Sequence, residues 1–346
     1  MRVLQIGPYP PPHGGVQSNL VAIREYLRNR GIYCAVINLT RFRRTAADDI
    51  YYPESALQTL ALLLRLRYDI LHIHFGGNIT LRLLALWMVC SLIPGKKTVL
   101  TFHSGGYPAS QPGRTARPAT LRGFIFRRLD RIIGVNEEMI AMFRRFGVSA
   151  DRLALIPPDA VLQPPPAQLR PEIADFFQSH SPVLSTVGGL ELEYDIPLQV
   201  EVVGDLLPQF PRLGLVIVGA GSLERQMRDL IGSKPYSSHM LLCGDVPHAE
   251  TLSVIRGCRV FLRTTFYDGD SIAVREALHF GTPVIATDNG MRPPHVHLIG
   301  MSDRDGCRRT IERILAEAAP ASPHAGQEMN DNSLLAVLEL YRQLAR

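Results

Sequence analysis

Asp268 and Glu276 stand eight positions apart in YDGDSIAVREALHFGTPVIATDNG, residues 267–290, with a Gly-Asp-Ser turn between them. The turn predicts a helix beginning at Ser271 or Ile272, with Glu276 inside it. A helix N-terminus leaves backbone amides without partners and carries partial positive charge, so it attracts anions. Acids beside such a turn either cap the helix or hold hydroxyls next to a bound phosphate. On the second reading the amides of Ser271 and Ile272 meet a phosphate oxygen, with Gly269 and Asp270 in the same turn. Glu276 then holds a pair of ribose hydroxyls and Asp268 faces a sugar. The plainer alternative makes Asp268 or Asp270 an N-cap and Glu276 a surface acid. ALHFGTPVI follows Glu276 and reads as a helix entering a core, which weighs against a merely exposed carboxylate.

Glycines recur where strands run into loops. In IGPYPPPHGGVQSNL, residues 6–20, a strand ends and Gly14 and Gly15 open a helix. Glycine there lets the backbone approach a phosphate, although a plain strand-to-helix turn accounts for this loop taken alone. Gly188 and Gly189, Gly219 and Gly221 in GAGS, and Gly244 in CGD follow later strands, where backbone groups can meet a base or a phosphate. Backbone around Cys243 to Val246 is placed to read the base. The spacing is not GxGxxG and no acid follows where a dinucleotide ribose needs one, so a nicotinamide enzyme is disfavoured.

These residues need strands and helices to hold them. Near-continuous apolar runs at 2–6, 33–39, 69–75, 97–102, 131–135 and 152–157 alternate with helical patterns near 16–30, 55–66, 79–92, 120–129 and 137–146. Such alternation predicts parallel strands covered on both faces. PPDAVLQPPPAQLRPE, residues 157–172, reads as a linker, because proline at that density forbids regular structure. Strands at 182–190, 213–222, 239–247, 259–265 and 282–288 then alternate with helices again. The polar stretch 321–331 reads as loose, and residues 333–345 form a closing amphipathic helix. The fold class expected is α/β: two doubly wound, Rossmann-like domains, 1–165 and 175–325, facing each other across a cleft, with ligands at the carboxyl ends of the strands.

The net charge of +5 conceals an asymmetry. Residues 1–165 carry 21 Lys+Arg against 10 Asp+Glu, and the remainder 16 against 22. A basic half suggests an anionic partner such as a phosphorylated substrate or an acidic membrane surface, unless it is simply a solvated face. No basic run is interleaved with aromatics as single-strand binders require, so nucleic acid is disfavoured. MRVLQIGPYP lacks the apolar core of a signal peptide, and LLALWMVCSLI at 83–93 is short for a bilayer span and reads as a buried helix. Five scattered cysteines fit free buried thiols in a cytoplasmic protein, associated at most with the inner face of a membrane. LQTLALLLRLR, residues 57–67, could lie on an anionic membrane, though core packing is the preferred reading.

The segment 267–290 resembles the signature of retaining nucleotide-sugar glycosyltransferases of family 4, which have the GT-B fold. The resemblance extends through PPHGGVQ, DILHIHF, TFHSGG, GVNEEM and VIVGAGSLERQM to the closing helix, which in that fold returns to the first domain. It implies that Gly14 and Gly15 border the donor diphosphate and Asp268 touches the donor sugar. It further implies that the Ser271 and Ile272 amides meet phosphate and Glu276 holds the ribose. His103 matches a histidine beside the sugar's reacting end, which makes His103, Asp268 and Glu276 the catalytic set. No cofactor and no metal are implied beyond the nucleotide-diphosphate sugar, UDP being favoured. His72 and His74 alternate on one strand without a third ligand, so His72 is assigned to packing and His74, with Asn78, to the acceptor side.

The chain departs from that family where an Arg and a Lys usually follow the first strand of the second domain. Gly189 and Tyr194 stand there instead. Arg263, Arg275 and Arg292 are the nearby candidates to replace them. A sugar-nucleotide 2-epimerase or hydrolase of the same architecture, and a catalytically silent nucleotide-sugar-binding protein, are the alternatives to transfer onto an acceptor hydroxyl. The acceptor itself (glycan, lipid-linked sugar or small molecule) is not legible.

Overall fold

The computed structural model describes residues 1–10, 14–40, 48–158, 167–290, 292–317 and 332–346. It forms two compact units, Met1–Val161 with Asn330–Arg346, and Leu162–Met329. In the first unit the elements run β1 (Arg2–Gly7), α1 (Gly15–Arg28), β2 (Tyr33–Asn38), β3 (Ile50–Tyr51), α2 (Ala56–Arg65), β4 (Ile70–Phe75) and α3 (Leu81–Leu92). They continue with β5 (Lys97–Phe102), α4 (Gln111–Arg114), α5 (Leu121–Phe126), β6 (Arg131–Gly134), α6 (Glu137–Arg145) and β7 (Leu153–Leu155). The strands pair in parallel in the order β3-β2-β1-β4-β5-β6-β7. Polar side chains start the helices where the sequence changes period: Ser55, Thr80, Thr120 and Asn136 each accept from the amide three residues on. In α6, Glu137 and Glu138 open the helix and Arg144 and Arg145 close it, both matched to the helix dipole.

In the second unit the elements run α7 (Pro171–Ser179), β8 (Val183–Val187), α8 (Ile196–Leu206), β9 (Gly214–Val218), α9 (Glu224–Gly232), β10 (Met240–Gly244) and α10 (His248–Gly257). Then follow β11 (Val260–Arg263), α11 (Ile272–His279), β12 (Val284–Thr287), β13 (Val296–Ile299) and α12 (Arg304–Ala316). Their sheet has the order β10-β9-β8-β11-β12-β13, again with parallel neighbours. Helix α7 corrects the linker reading in part: Pro171 sits in its first turn, where a fixed φ and a missing amide are no handicap. Residues 159–166 of that stretch, and 321–331, lie outside the described residues.

The closing helix, α13 (Asn332–Leu344), belongs to the first unit. Leu334, Val337, Leu338 and Tyr341 join Ala22, Ile23 and Leu27 of α1 over one face of the sheet. The opposite face carries α2, α3, α5 and α6, whose Leu63, Trp87, Phe126 and Phe143 share a core with Leu71, Ile73 and Leu100. Two of these helices are shallower than the sequence suggests. Helix α3 buries only Leu84, Trp87 and Cys90, and α2 only Thr59 and Leu63, so the leucines of LQTLALLLRLR mostly face outward. Among the described residues no helix is long and apolar enough to cross a membrane.

Tyr341 is fully buried and its hydroxyl bonds Nδ1 of His72, itself fully buried on β4. Tyr341→Phe should therefore destabilise the first unit by about 1–3 kcal/mol, because one buried ring nitrogen is left without its partner. Trp87 is the chain's single tryptophan and lies buried in this unit, so its fluorescence during urea unfolding is the readout.

Candidate active site

The loops after β8, β9, β10 and β11 all leave the same edge of the second sheet, the edge at which parallel sheets bind ligands. Backbone packs on backbone there. Gly188 donates to Val218 O at 3.0 Å, Leu190 to Ala220 O at 3.1 Å and Gly219 to Gly244 O at 2.8 Å. A Cβ on Gly219, whose φ is +128°, would stand 1.9 Å from Gly188 O, and one on Gly221 would stand 2.4 Å from Leu190 O. One on Gly188 would overlap the Tyr194 ring at 2.1 Å. These three glycines thus fit the loops to one another. Gly244 is also left-handed, at φ +69°, but has open space around it, and Gly189 meets only Glu191 and Tyr194. The Val246 side chain is packed with Val183, Val216 and Val254, which leaves only its backbone for a ligand.

Arg263 ends β11 with its guanidinium folded back over this loop cluster. It lies 4.7 Å from the centre of the Tyr194 ring and donates to Val187 O at 2.9 Å. Its other two nitrogens grip Asp268 at 2.8 and 3.1 Å. Arg292 reaches the same carboxylate at 2.8 Å and also donates to Thr265 Oγ1 and Thr287 O. With the Gly269 amide at 3.0 Å, Asp268 accepts four hydrogen bonds, which fills the lone pairs of both oxygens. Burial pushes the Asp268 carboxyl up, but Arg263 and Arg292 outweigh it and hold the group below the ordinary carboxylate range. Beside it Asp270 takes Arg275 at 2.7 and 2.5 Å, and burial still raises that carboxyl. Three guanidiniums thus meet two carboxylates in this loop. Asp268, expected to face a sugar, is turned instead onto two arginines.

Helix α11 begins in this corner. Ser271 caps it, accepting from Val274 N at 3.4 Å, while the amides of Ile272 and Ala273 have no partner among the described residues. Glu276 is 2% exposed, and its Oε1 meets His248 Nε2 at 2.6 Å. A surface carboxylate is excluded. His248, at the start of α10, escaped the sequence reading; a histidine just past a strand-to-helix turn (VPH, residues 246–248) was the available signal.

In the first unit Gly14 and Gly15 are exposed at the start of α1, which has no side-chain cap. Gly14 is extended, at φ −173°, a conformation open to any residue. His72, His74 and His103 form a column at the ends of β4 and β5. Ring centres are 4.0 Å apart for His72 and His74 and 6.3 Å for His74 and His103. His72 also meets Thr101 Oγ1 at 2.6 Å through Nε2. His74, expected to line an acceptor surface, is 2% exposed with both ring nitrogens unpartnered among the described residues. It is pressed against Gly7, where a Cβ would come within 2.9 Å. His103 Nε2 is likewise buried and unpartnered, and Asn78 is exposed. Burial drives all three histidines down, His72 to about 3, His103 to about 4 and His74 well below its usual range. Among the described residues no three of His, Cys, Asp and Glu could share a metal ion.

The family model "Glycosyltransferase Family 4" matches residues 13–158, and "Glycosyl transferases group 1" matches residues 173–297. The chain belongs to glycosyltransferase family 4. The second of these models describes glycosyl transferases. Solved structures share the fold at low identity. The Anabaena protein HepE, in complex with UDP and glucose, superposes with a TM-score of 0.72 at 14% identity, covering 99% of this chain and 100% of its own. Sucrose-phosphate synthase from Thermosynechococcus elongatus gives 0.71 at 18% identity, with 99% of each chain covered. This likeness establishes the GT-B fold. One component of the phosphatidylinositol N-acetylglucosaminyltransferase of Arabidopsis thaliana is 23% identical over 130 residues, 36% of this chain and 29% of that protein. The match thus spans less than a third of that relative's length.

Two outcomes follow from the geometry. Asp268→Asn keeps the shape but leaves two buried guanidiniums without a counter-charge, and should destabilise the second unit by about 3–5 kcal/mol in denaturant titrations followed by circular dichroism. For the histidine column the folded pKa values lie below the unfolded value of 6.5. As pH falls below that value the unfolded chain binds protons the folded one refuses. Stability, complete above pH 6.5, should fall towards pH 4 with a slope of roughly 1.4 kcal/mol per unit for each histidine. Trp87 fluorescence melts across this range test it, and His72→Gln should flatten the slope.

Proposed function

We propose that the protein transfers a sugar from a nucleotide-diphosphate sugar, UDP-sugar being favoured, to an acceptor hydroxyl with retention of configuration and without a metal. The observation that carries this reading is the Arg263–Asp268–Arg292 cluster beside the open amides of α11. The positions that hold Arg and Lys in the family are Gly189 and Tyr194 here, and Arg263 brings a guanidinium to that same loop from β11, over the Tyr194 ring. Arg263 and Arg292 thereby supply the two positive charges that a departing diphosphate needs. A silent binding protein is correspondingly less favoured.

On this reading the diphosphate competes with Asp268 for one of the two arginines. The exchange releases a carboxylate oxygen for a sugar hydroxyl. Glu276, steadied by His248, accepts from the ribose. In the first unit, taken by itself, the exposed uncapped start of α1 at Gly14 and Gly15 is suited to an anion. His103 is neutral at physiological pH, and its unpartnered Nε2 is suited to a sugar hydroxyl. The donor C1–O bond breaks with its electron pair leaving on the diphosphate. The acceptor oxygen bonds C1 from the same face, and its proton passes to the departing phosphate oxygen. UDP is favoured because a structural neighbour is a UDP complex. The acceptor's chemistry is left open by these residues.

Arg263→Met should lower turnover of a UDP-sugar by about 100-fold or more, with a smaller effect on binding, since the lost charge acts mainly on the leaving diphosphate. A thermal-shift comparison of UDP, GDP, ADP and dTDP, followed by turnover with acceptor pools, tests the reading. Nucleotide release only with acceptor supports it. Binding without turnover, or release of an epimerised donor, overturns it.

A further inference from the structure

Helices α2, α3 and α5 all press into the core on one face of the first sheet, through Leu63, Trp87 and Phe126 among others. Their outward faces are apolar as well. On α2 the outward residues Leu57, Leu60 and Leu64 recur at helical spacing, Leu57 and Leu64 being 79% and 64% exposed. On α3 Leu81, at 73%, is followed by Val89 and Leu92 on the exposed side. On α5 Leu121 and Phe124 are exposed, with the Arg128 guanidinium 5.8 Å from the Phe124 ring. A soluble surface scatters such residues singly; three neighbouring helices baring them on one side mark a contact surface.

The charges around these stripes identify its partner. From residue 55 to residue 129 the sequence holds one acid, Asp69, and ten Lys or Arg. Arg65 and Arg67 flank the α2 stripe and Arg82 the α3 stripe, all exposed and without an ion pair among the described residues. A surface shaped for another protein ordinarily mixes both signs of charge around an apolar centre. Leucine and phenylalanine in the midst of exposed arginines that far outnumber acids is the pattern of a surface that sinks its apolar side chains into acyl chains while its cations meet anionic headgroups. We propose that this face of the first unit docks onto an anionic phospholipid bilayer, in a peripheral and reversible manner. The proposal is independent of the donor reading.

The test sediments the full-length protein with vesicles of phosphatidylcholine, alone or with roughly a third phosphatidylglycerol, at low and high salt. Binding should require the anionic lipid and weaken with salt. Leu57→Glu with Leu64→Glu, and separately Arg65→Ser with Arg67→Ser, should each weaken it by about tenfold or more. Unchanged Trp87 unfolding shows that the variants remain folded, the altered side chains being outside the core. The proposal is overturned by no sedimentation with anionic vesicles at low salt, or by binding that both variants retain. It is equally overturned if the wild type self-associates without vesicle binding and the substitutions dissolve that association, which would make the face a protein interface.

Discussion

Two guanidiniums closing on one buried carboxylate govern the second unit's working edge. Desolvating three charges is expensive, and only tight geometry with every donor and acceptor engaged makes it tolerable. Arg263, Asp268 and Arg292 meet that demand by drawing on four segments at once: the end of β8 through Val187 O, the Tyr194 ring, the β11 loop and the segment after β12. Gly188 has to be glycine for Tyr194 to lie where it does, and Tyr194 has to lie there for Arg263 to stack on it. The loop that lacks the family cations is thus the loop that seats a cation borrowed from the neighbouring strand.

Much of this was legible in the amino-acid sequence, and the parts that were not share a cause. Strand and helix positions come through because burial on both faces writes long apolar runs and caps write Ser, Thr and Asn at fixed offsets. β3 and β13 are missed because two and four residues carry little period, α7 because its opening proline resembles the breakers before it, and α12 because its polar face outweighs its buried one. The site follows the same rule. Asp268, Ser271 and Glu276 are local, within one loop and one helix. The Arg292–Asp268 and His248–Glu276 pairs join residues 24 and 28 positions apart, and only the sheet order brings them together. Gly219 and Gly221 are needed where chain meets chain, a reason that local sequence does not show.

The first unit is built asymmetrically. One face of its sheet is sealed by α1 and α13 and hides His72 in its fully satisfied bonds; the other is sealed from within by aromatic residues yet remains apolar outside. Burial without counter-charge keeps the three histidines neutral, so the column is a set of dipoles rather than charges at physiological pH.

Because α13 follows the second unit in the chain and packs against α1, the first unit is interrupted by the whole of the second. During synthesis the apolar side of α1, with Ile23 and Leu27, stays uncovered while some 170 intervening residues are translated, which at about 5–20 residues per second is of order ten seconds or longer. A nascent chain of this protein therefore carries a sticky flank for that interval, and a chaperone that binds aliphatic surface has a defined window in which to occupy it.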